Sequence, residues 1–240
     1  MWFNKKMSVT QVKFKVVSNP EITKHVRVLT VTSDQDTSFL AGQYYSFKIK
    51  DKVNRSYSIA SNPGQKEIEF LVEILEGGEG STFIDHLKSG DEFDALGPLG
   101  FFTLENAGAL NDENPLLFAA TGTGIAPIRS MILHLLKDLN SKREIKLFFG
   151  LRFDDQIYYF DEFEKLEKEY SNFHFTPIIS KPSDNWKGIV GHCQDCIKKE
   201  PVNEFAKVFI CGSNTAVQGI SSDLMEYGYK KENIFFEKFG

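Results

Sequence analysis

The chain has 240 residues, 41% hydrophobic and 25% charged, enough apolar material for two modest cores and too much for a disordered segment. Its 28 basic and 33 acidic side chains give a net charge of −5 with no long basic run, which argues against a nucleic-acid partner. No stretch approaches the roughly 20 apolar residues of a membrane span, Met1 to Thr10 lack the apolar centre of a signal peptide, and three cysteines make no disulfide framework, so a cytoplasmic location is expected.

The first hundred residues read as short extended runs. His25-Val26-Arg27-Val28 alternates, Gln43-Tyr44-Tyr45-Ser46-Phe47-Lys48-Ile49 is aromatic and β-branched, and residues 67–74 carry few helix signals beyond their glutamates. Asn62-Pro63-Gly64, Gly77-Gly78 and Ser89-Gly90-Asp91 punctuate these runs where hairpins or barrel corners need unusual backbone angles. An antiparallel barrel or sandwich is predicted over residues 1–110. The 22 phenylalanines supply core area for it and for the second half of the chain.

After the polar stretch 105–114 the rhythm changes. Residues 115–120 form an apolar strand run, and Ile128, Met131, Ile132, Leu135, Leu136 and Leu139 then fall on one helical face. Further strands are predicted over 145–151, 173–179, 208–211 and 234–237, with helical patterns over 162–170 and 216–227 between them. Such alternation builds βαβ units, so residues 111–240 are predicted to form an α/β domain around a five-stranded parallel sheet.

Three short segments carry chemistry. Arg55-Ser56-Tyr57-Ser58 brings a cation, a ring and hydroxyls together, a set able to hold a phosphate and stack a flat ligand, although an ordinary barrel strand also reads this way. Gly77-Gly78-Glu79-Gly80-Ser81-Thr82-Phe83 offers a glycine-rich turn before a helical pattern at 83–87, a second anion site. Thr121-Gly122-Thr123-Gly124-Ile125-Ala126-Pro127 lies between a buried strand and a helix start, where backbone N–H groups and the helix dipole favour a diphosphate. Pro127 stands where the dinucleotide fingerprint G-x-G-x-x-G has its third glycine, so an ordinary Rossmann dehydrogenase is not indicated.

Other features carry less. Cys193-Gln194-Asp195-Cys196 is a lone C-x-x-C without the second pair a zinc site needs. The five histidines have no metal-binding spacing, and no metal is expected. Asp161, Glu162, Glu164, Glu167 and Glu169 read as the solvated face of a helix, with docking of a basic partner as the alternative.

In chain order, Arg55-x-Tyr57-Ser58, Gly78-x-x-Ser81, Gly97-Pro98-Leu99-Gly100-x-Phe102, Thr121-Gly122-x-Gly124-x-Ala126-Pro127, Cys211-Gly212-Ser213 and Glu237-x-Phe239 resemble the ferredoxin–NADP reductase family. The resemblance spans residues 10–240 and implies an FAD-binding barrel followed by an NAD(P)H-binding α/β domain. It implies that Arg55 pairs with the FAD diphosphate, that Tyr57 stacks on the isoalloxazine and that Ser58 hydrogen-bonds its reactive nitrogen. Ser56, Val72, Gly78, Gly80, Ser81, Thr82 and Phe239 complete the implied FAD contacts. For the nicotinamide dinucleotide, NADPH or NADH, it implies Thr121, Gly122, Thr123, Gly124 and Pro127 at the diphosphate and Cys211, Gly212 and Ser213 near the nicotinamide. Arg152, Ser180 and Lys181 resemble a set for a 2′-phosphate, a small lean toward NADPH.

Ser58, Cys211 and Glu237 form the implied catalytic set, with Glu237 delivering a proton or positioning the nicotinamide. Family members often fuse a four-cysteine iron–sulfur domain, which three cysteines do not supply. The implied function is an FAD-dependent NAD(P)H oxidoreductase that passes electrons to a separate protein, a ferredoxin, a flavodoxin or an oxygenase component. A stand-alone reductase using free flavin as substrate is the alternative.

Overall fold

The computed structural model describes residues 9–239, so most of the segment read for a signal peptide lies outside the described residues. The first half is an antiparallel sheet of seven strands: β1 (Thr10–Ser18), β2 (Glu21–Thr23), β3 (Val26–Thr32), β4 (Tyr44–Lys50), β5 (Val53–Ser58), β6 (Ile68–Glu73) and β7 (Glu92–Leu99). They run β2-β3-β1-β7-β4-β5, with β6 pairing β3, and the sheet curls around its own core. Alternation dictates that core: Val12, Phe14 and Val16 of β1 point inward while Gln11, Lys13 and Lys15 stay exposed. Phe14, Tyr45, Phe47, Phe70 and Phe93 meet there at tilted or edge-on angles, with ring centroids 4.7 to 6.3 Å apart.

Between β6 and β7 lies α1 (Glu79–His86). It begins four residues before the helical pattern predicted at 83–87, because the glycine-rich turn itself forms its first turn. Ser81 Oγ accepts a hydrogen bond from the Leu75 N–H at 2.9 Å and fixes that turn against the end of β6.

The second half is a parallel sheet: β8 (Leu116–Thr121), β9 (Ile145–Leu151), β10 (Phe173–Ile179), β11 (Ile189–Val190), β12 (Lys207–Ser213) and β13 (Ile234–Phe239), in the order β11-β10-β9-β8-β12-β13. The two-residue edge strand β11 is added to the five predicted strands. Helices α2 (Ile125–Leu133), α3 (Phe160–Glu169), α4 (Cys193–Ile197) and α5 (Asn214–Glu226) cover the sheet, and α2 continues through a π-helical turn, His134–Asp138. Both sheet faces are buried, which is why β8 reads as an unbroken apolar run. Leu116, Phe118 and Ala120 join the core on the α2 and α3 side, and Leu117 and Ala119 the core under α4 and α5.

The two sheets share one of these cores. Val26, Ala41, Ala60, Leu71 and Phe102 of the first half pack in one cluster with Ile125, Ile128 and Met131 of α2. Gly42, at φ +101°, sits at this seam, and a Cβ there would strike the Phe102 carbonyl and the Met131 methyl group.

Candidate functional site

A cleft of about 1440 Å³ opens between the two sheets. Its α/β wall lies at the carboxyl ends of β8, β9, β10 and β12. Chain order reverses between β8 and β12, and the crevice outside the carboxyl ends at such a switch point is where open parallel sheets bind ligands.

On the barrel wall, Arg55, Ser56, Tyr57 and Ser58 occupy β5, and the Tyr57 ring leans on Phe47 at 4.8 Å. Burial pushes the Tyr57 phenol up to about 12, so it stays protonated. The start of α1 comes directly onto this strand because Gly80 has no side chain: a Cβ there would collide with the Tyr57 hydroxyl and the Arg55 side chain. The first turn of α1, whose leading amides have no acceptor inside the helix, therefore packs on the aliphatic part of the Arg55 side chain. The Ser81 hydroxyl is committed to Leu75 N–H and the Glu73 carbonyl, leaving its turn to offer backbone. Glu79 pairs with Lys50 and, at 3.5 Å, with Arg55; the Lys50 ammonium holds its carboxyl below the usual range.

Opposite, Thr121, Gly122 and Thr123 form the turn after β8, with Gly122 at φ +55°. Gly124 and Gly212 zip this turn to the end of β12, since a Cβ on Gly124 would strike the Cys211 carbonyl and one on Gly212 the Thr121 side chain. Cys211 and Glu237 are register partners on β12 and β13. Cys211 is only 1% exposed, and burial followed by the nearby Glu237 charge pushes its thiol well up. Ser58 Oγ donates to Glu237 Oε2 at 3.1 Å, a hydrogen bond that crosses from barrel to parallel sheet. Burial raises the Glu237 carboxyl despite that bond, favouring its protonated form.

Of the residues singled out in the sequence, Arg55, Ser56, Tyr57, Ser58, Val72, Gly78, Gly80, Ser81, Thr121, Gly122, Thr123, Arg152, Ser180, Ser213, Glu237 and Phe239 line the cleft. Six stand off its wall. Gly124, Cys211 and Gly212 back the turn, Pro127 is buried in the first turn of α2, and Thr82 is exposed on α1. Lys181 is exposed as well, and what it contributes locally is its N–H, which donates to the Arg152 carbonyl.

Sequence reading missed Tyr158, Gln156, His192, Gln194 and Thr215 on the same wall. Their signal is positional: each follows a strand of the parallel sheet, where side chains reach the crevice. The acidic helix α3 also differs from expectation. Glu162 is not solvated but grips Arg129, and Glu167 accepts from the Phe175 N–H at 2.9 Å, tying α3 to β10. Cys193 and Cys196 are free and buried, and burial pushes the Cys193 thiol up to about 12, so neither is primed as a nucleophile.

This arrangement defines a class: a two-domain nucleotide oxidoreductase, with Arg55, Tyr57 and the start of α1 on a barrel facing a glycine turn on a parallel sheet. Residues 13–104 match the oxidoreductase FAD-binding domain family and residues 118–222 the oxidoreductase NAD-binding domain family. The chain is 32% identical over 210 residues to a subunit of the Na(+)-translocating NADH-quinone reductase of Marinomonas sp. (strain MWYL1), covering 80% of this chain and 50% of that protein. It is 30% identical over 231 residues to the phenol hydroxylase P5 protein of Acinetobacter pittii (strain PHEA-2), covering 93% and 64%. It thus spans between half and two-thirds of the length of these curated relatives. The fold superimposes on the Amycolatopsis cytochrome P450 reductase GcoB with a TM-score of 0.90 at 24% identity, over 98% of this chain and 72% of that one.

The chain belongs to the ferredoxin–NADP reductase family of FAD- and NAD(P)H-binding flavoprotein oxidoreductases. The donor set fits FAD, because the close seat of Gly80 on Arg55 and Tyr57 lets one diphosphate meet a guanidinium and helix-start amides together. No helix among the described residues is long and apolar enough to cross a membrane.

Proposed function

We propose that this chain draws electrons from NADPH or NADH and delivers them to a separate redox protein of the ferredoxin, flavodoxin or oxygenase-component type. The observation that carries the reading is the Ser58–Glu237 hydrogen bond, which joins the barrel wall of the cleft to its parallel-sheet wall. FAD, when bound, supplies the chemistry of taking two electrons as hydride from a nicotinamide and releasing them one at a time.

The chain's own residues then bind, orient and protonate. Arg55 and the amides of Gly80 and Ser81 hold the diphosphate, Tyr57 and Phe239 flank the ring, and Ser58 turns its one hydroxyl proton from Glu237 to the ring's reactive edge. Gly122 and Thr123 cradle the second diphosphate, and Ser213 lies at the nicotinamide end. Cys211 acts from behind the wall, setting its shape, and Glu237 holds a proton at its carboxyl. The division between the two binding halves falls in the polar segment near residue 110.

For the choice of nucleotide, no carboxylate lines the wall from Gly150 to Ile220, whereas Arg152 and Ser180 do. Asp154, the first acid after Arg152 in the chain, is engaged by the N–H and Oγ of Ser183, both at 2.7 Å. This supports NADPH, because NADH sites place a carboxylate on the ribose. Arg152 then carries the preference, with the exposed Lys181 joined to it through the backbone.

The test is to purify the protein, record its visible spectrum and measure NAD(P)H-dependent reduction of ferredoxin, flavodoxin and free flavin. A yellow protein with one FAD per chain that reduces a protein acceptor is expected. Flavin that washes out and turns over as substrate would favour the free-flavin reductase instead. An unchanged NADPH-to-NADH ratio of kcat/KM in Arg152→Ala would remove the phosphate role.

A further inference from the structure

Arg129 of α2 lies at the seam between the sheets, away from the cleft wall, and is 8% exposed. Its Nη1 donates to the Ala60 carbonyl at 2.8 Å and to Glu69 Oε2 at 2.7 Å, both on the barrel. Its Nε and Nη2 donate to the two oxygens of Glu162 on α3, at 2.6 and 3.0 Å. The Tyr159 ring lies under the guanidinium, 4.3 Å from its carbon, and Tyr159 adopts φ +60°, a backbone angle a bulky residue rarely takes, directly before α3. The guanidinium makes four hydrogen bonds here, two of them a bidentate pair to Glu162, which an ammonium with three donors cannot reproduce.

Both ends of this clamp lead to the site. Ala60 is two residues beyond Ser58, and it is stiffened by the bond from its N–H to the Glu69 carbonyl at 2.8 Å and by that from the Glu69 N–H to Ser61 Oγ at 3.1 Å. On the other side, α2 starts at Ile125, directly after the Gly122–Gly124 turn. A second tie lies along the same helix, where Asn62 Nδ2 donates to Asp138 Oδ1 at 2.8 Å and His134 Nδ1 pairs with Asp138 Oδ2 at 2.8 Å.

We propose that Arg129 is a positioning residue for hydride transfer, fixing the helix that carries the nicotinamide turn to the strand end that carries Ser58. The inference rests on the two cofactor sites proposed above. Reacting atoms must approach to about 3–3.5 Å, and a misplacement of about 1 Å costs on the order of a hundredfold in rate. A side chain that sets the registry of the two halves therefore governs rate without touching either cofactor.

The experiment compares the parent with Arg129→Met, Arg129→Lys, Glu69→Gln and, as a control for stability loss far from the seam, Lys146→Met. Amide hydrogen exchange of the FAD-free protein is read at residues 58–62 and 234–239, and flavin reduction by NADPH and NADH is read by stopped flow in the loaded protein. Arg129→Met is expected to exchange faster at both segments with the β8–β9 core unchanged, and to reduce flavin at least about tenfold more slowly while retaining FAD. Arg129→Lys and Glu69→Gln shift both readouts in the same direction by less, and Glu69→Gln decides the matter if Arg129→Met does not fold. Parental exchange and rates in the folded variants, with only a lowered Tm, overturn the proposal, as does equal slowing in Lys146→Met. A parent that binds no FAD would instead overturn the cofactor reading, and the exchange data would still report on the clamp.

Discussion

Burial raises the Glu237 carboxyl, and the hydrogen bond from Ser58 offsets this only in part. The folded protein therefore keeps a proton on Glu237 at a pH where the unfolded chain has released it. For a carboxyl shifted this way, the stabilising contribution is complete below the unfolded value of about 4.3 and is lost as pH rises above it. Glu237→Gln cannot titrate. Its Tm relative to the parent is thus expected to climb as pH rises above about 4.3, and a difference independent of pH would show that folding leaves the carboxyl unshifted. At Tyr57 the expectation concerns affinity: Tyr57→Ala removes ring stacking of about 0.5–1.5 kcal/mol beyond the area it covers, raising the FAD Kd by at least roughly 2- to 13-fold. Titration of the FAD-free protein by flavin fluorescence measures this, and an unchanged Kd would place the ring elsewhere.

Two helices place their first turns at the cleft by different means. Ser213 caps α5, its Oγ accepting from the Ala216 N–H at 3.3 Å. Ser213→Ala is expected to cost about 1 kcal/mol, a drop of roughly 2–4 °C in Tm for a chain of this length, checked by thermal unfolding. α1 has no side-chain cap and relies on Gly80 for its approach to β5. Gly80→Val should push α1 off Arg55 and Tyr57 and weaken FAD binding far more than Ser213→Ala does, read by the same titration. Both helices are legible in the sequence, α5 from its apolar spacing and α1 from glycines preceding a helical pattern. So is β8, whose continuous apolar run permits only a strand buried on both sides. The clamp at Arg129 is not legible. An arginine amid the apolar residues of α2 carries no local mark of its partners, which lie 33, 60 and 69 residues away in the chain and meet it only once both sheets exist. Glu162 is hidden likewise among acids that look solvated. Cys211 and Gly212 are legible by motif, but their burial behind the Thr121 turn depends on the β8–β12 pairing.

The whole molecule has two sheets but not two independent interiors. The cluster that joins Val26, Ala60 and Leu71 to Ile125, Ile128 and Met131 passes through the seam. Splitting the halves would expose that apolar surface and strip Arg129 of its bonds to the Ala60 carbonyl and the Glu69 carboxylate. One cooperative transition is expected in urea, with far-ultraviolet circular dichroism and aromatic near-ultraviolet signals coinciding. Two separated transitions would show that the seam is weaker than its contacts imply.

Ser58 and Glu237, bonded across the cleft, are 179 positions apart in the chain. On a ribosome adding about 5–20 residues per second, Glu237 leaves the peptidyl-transferase centre some ~10–40 s after Ser58. The strands that carry Phe14, Phe47, Phe70 and Phe93 have all been synthesised long before then. The cleft cannot close across this bond until β13, the last strand to be made, has joined the parallel sheet.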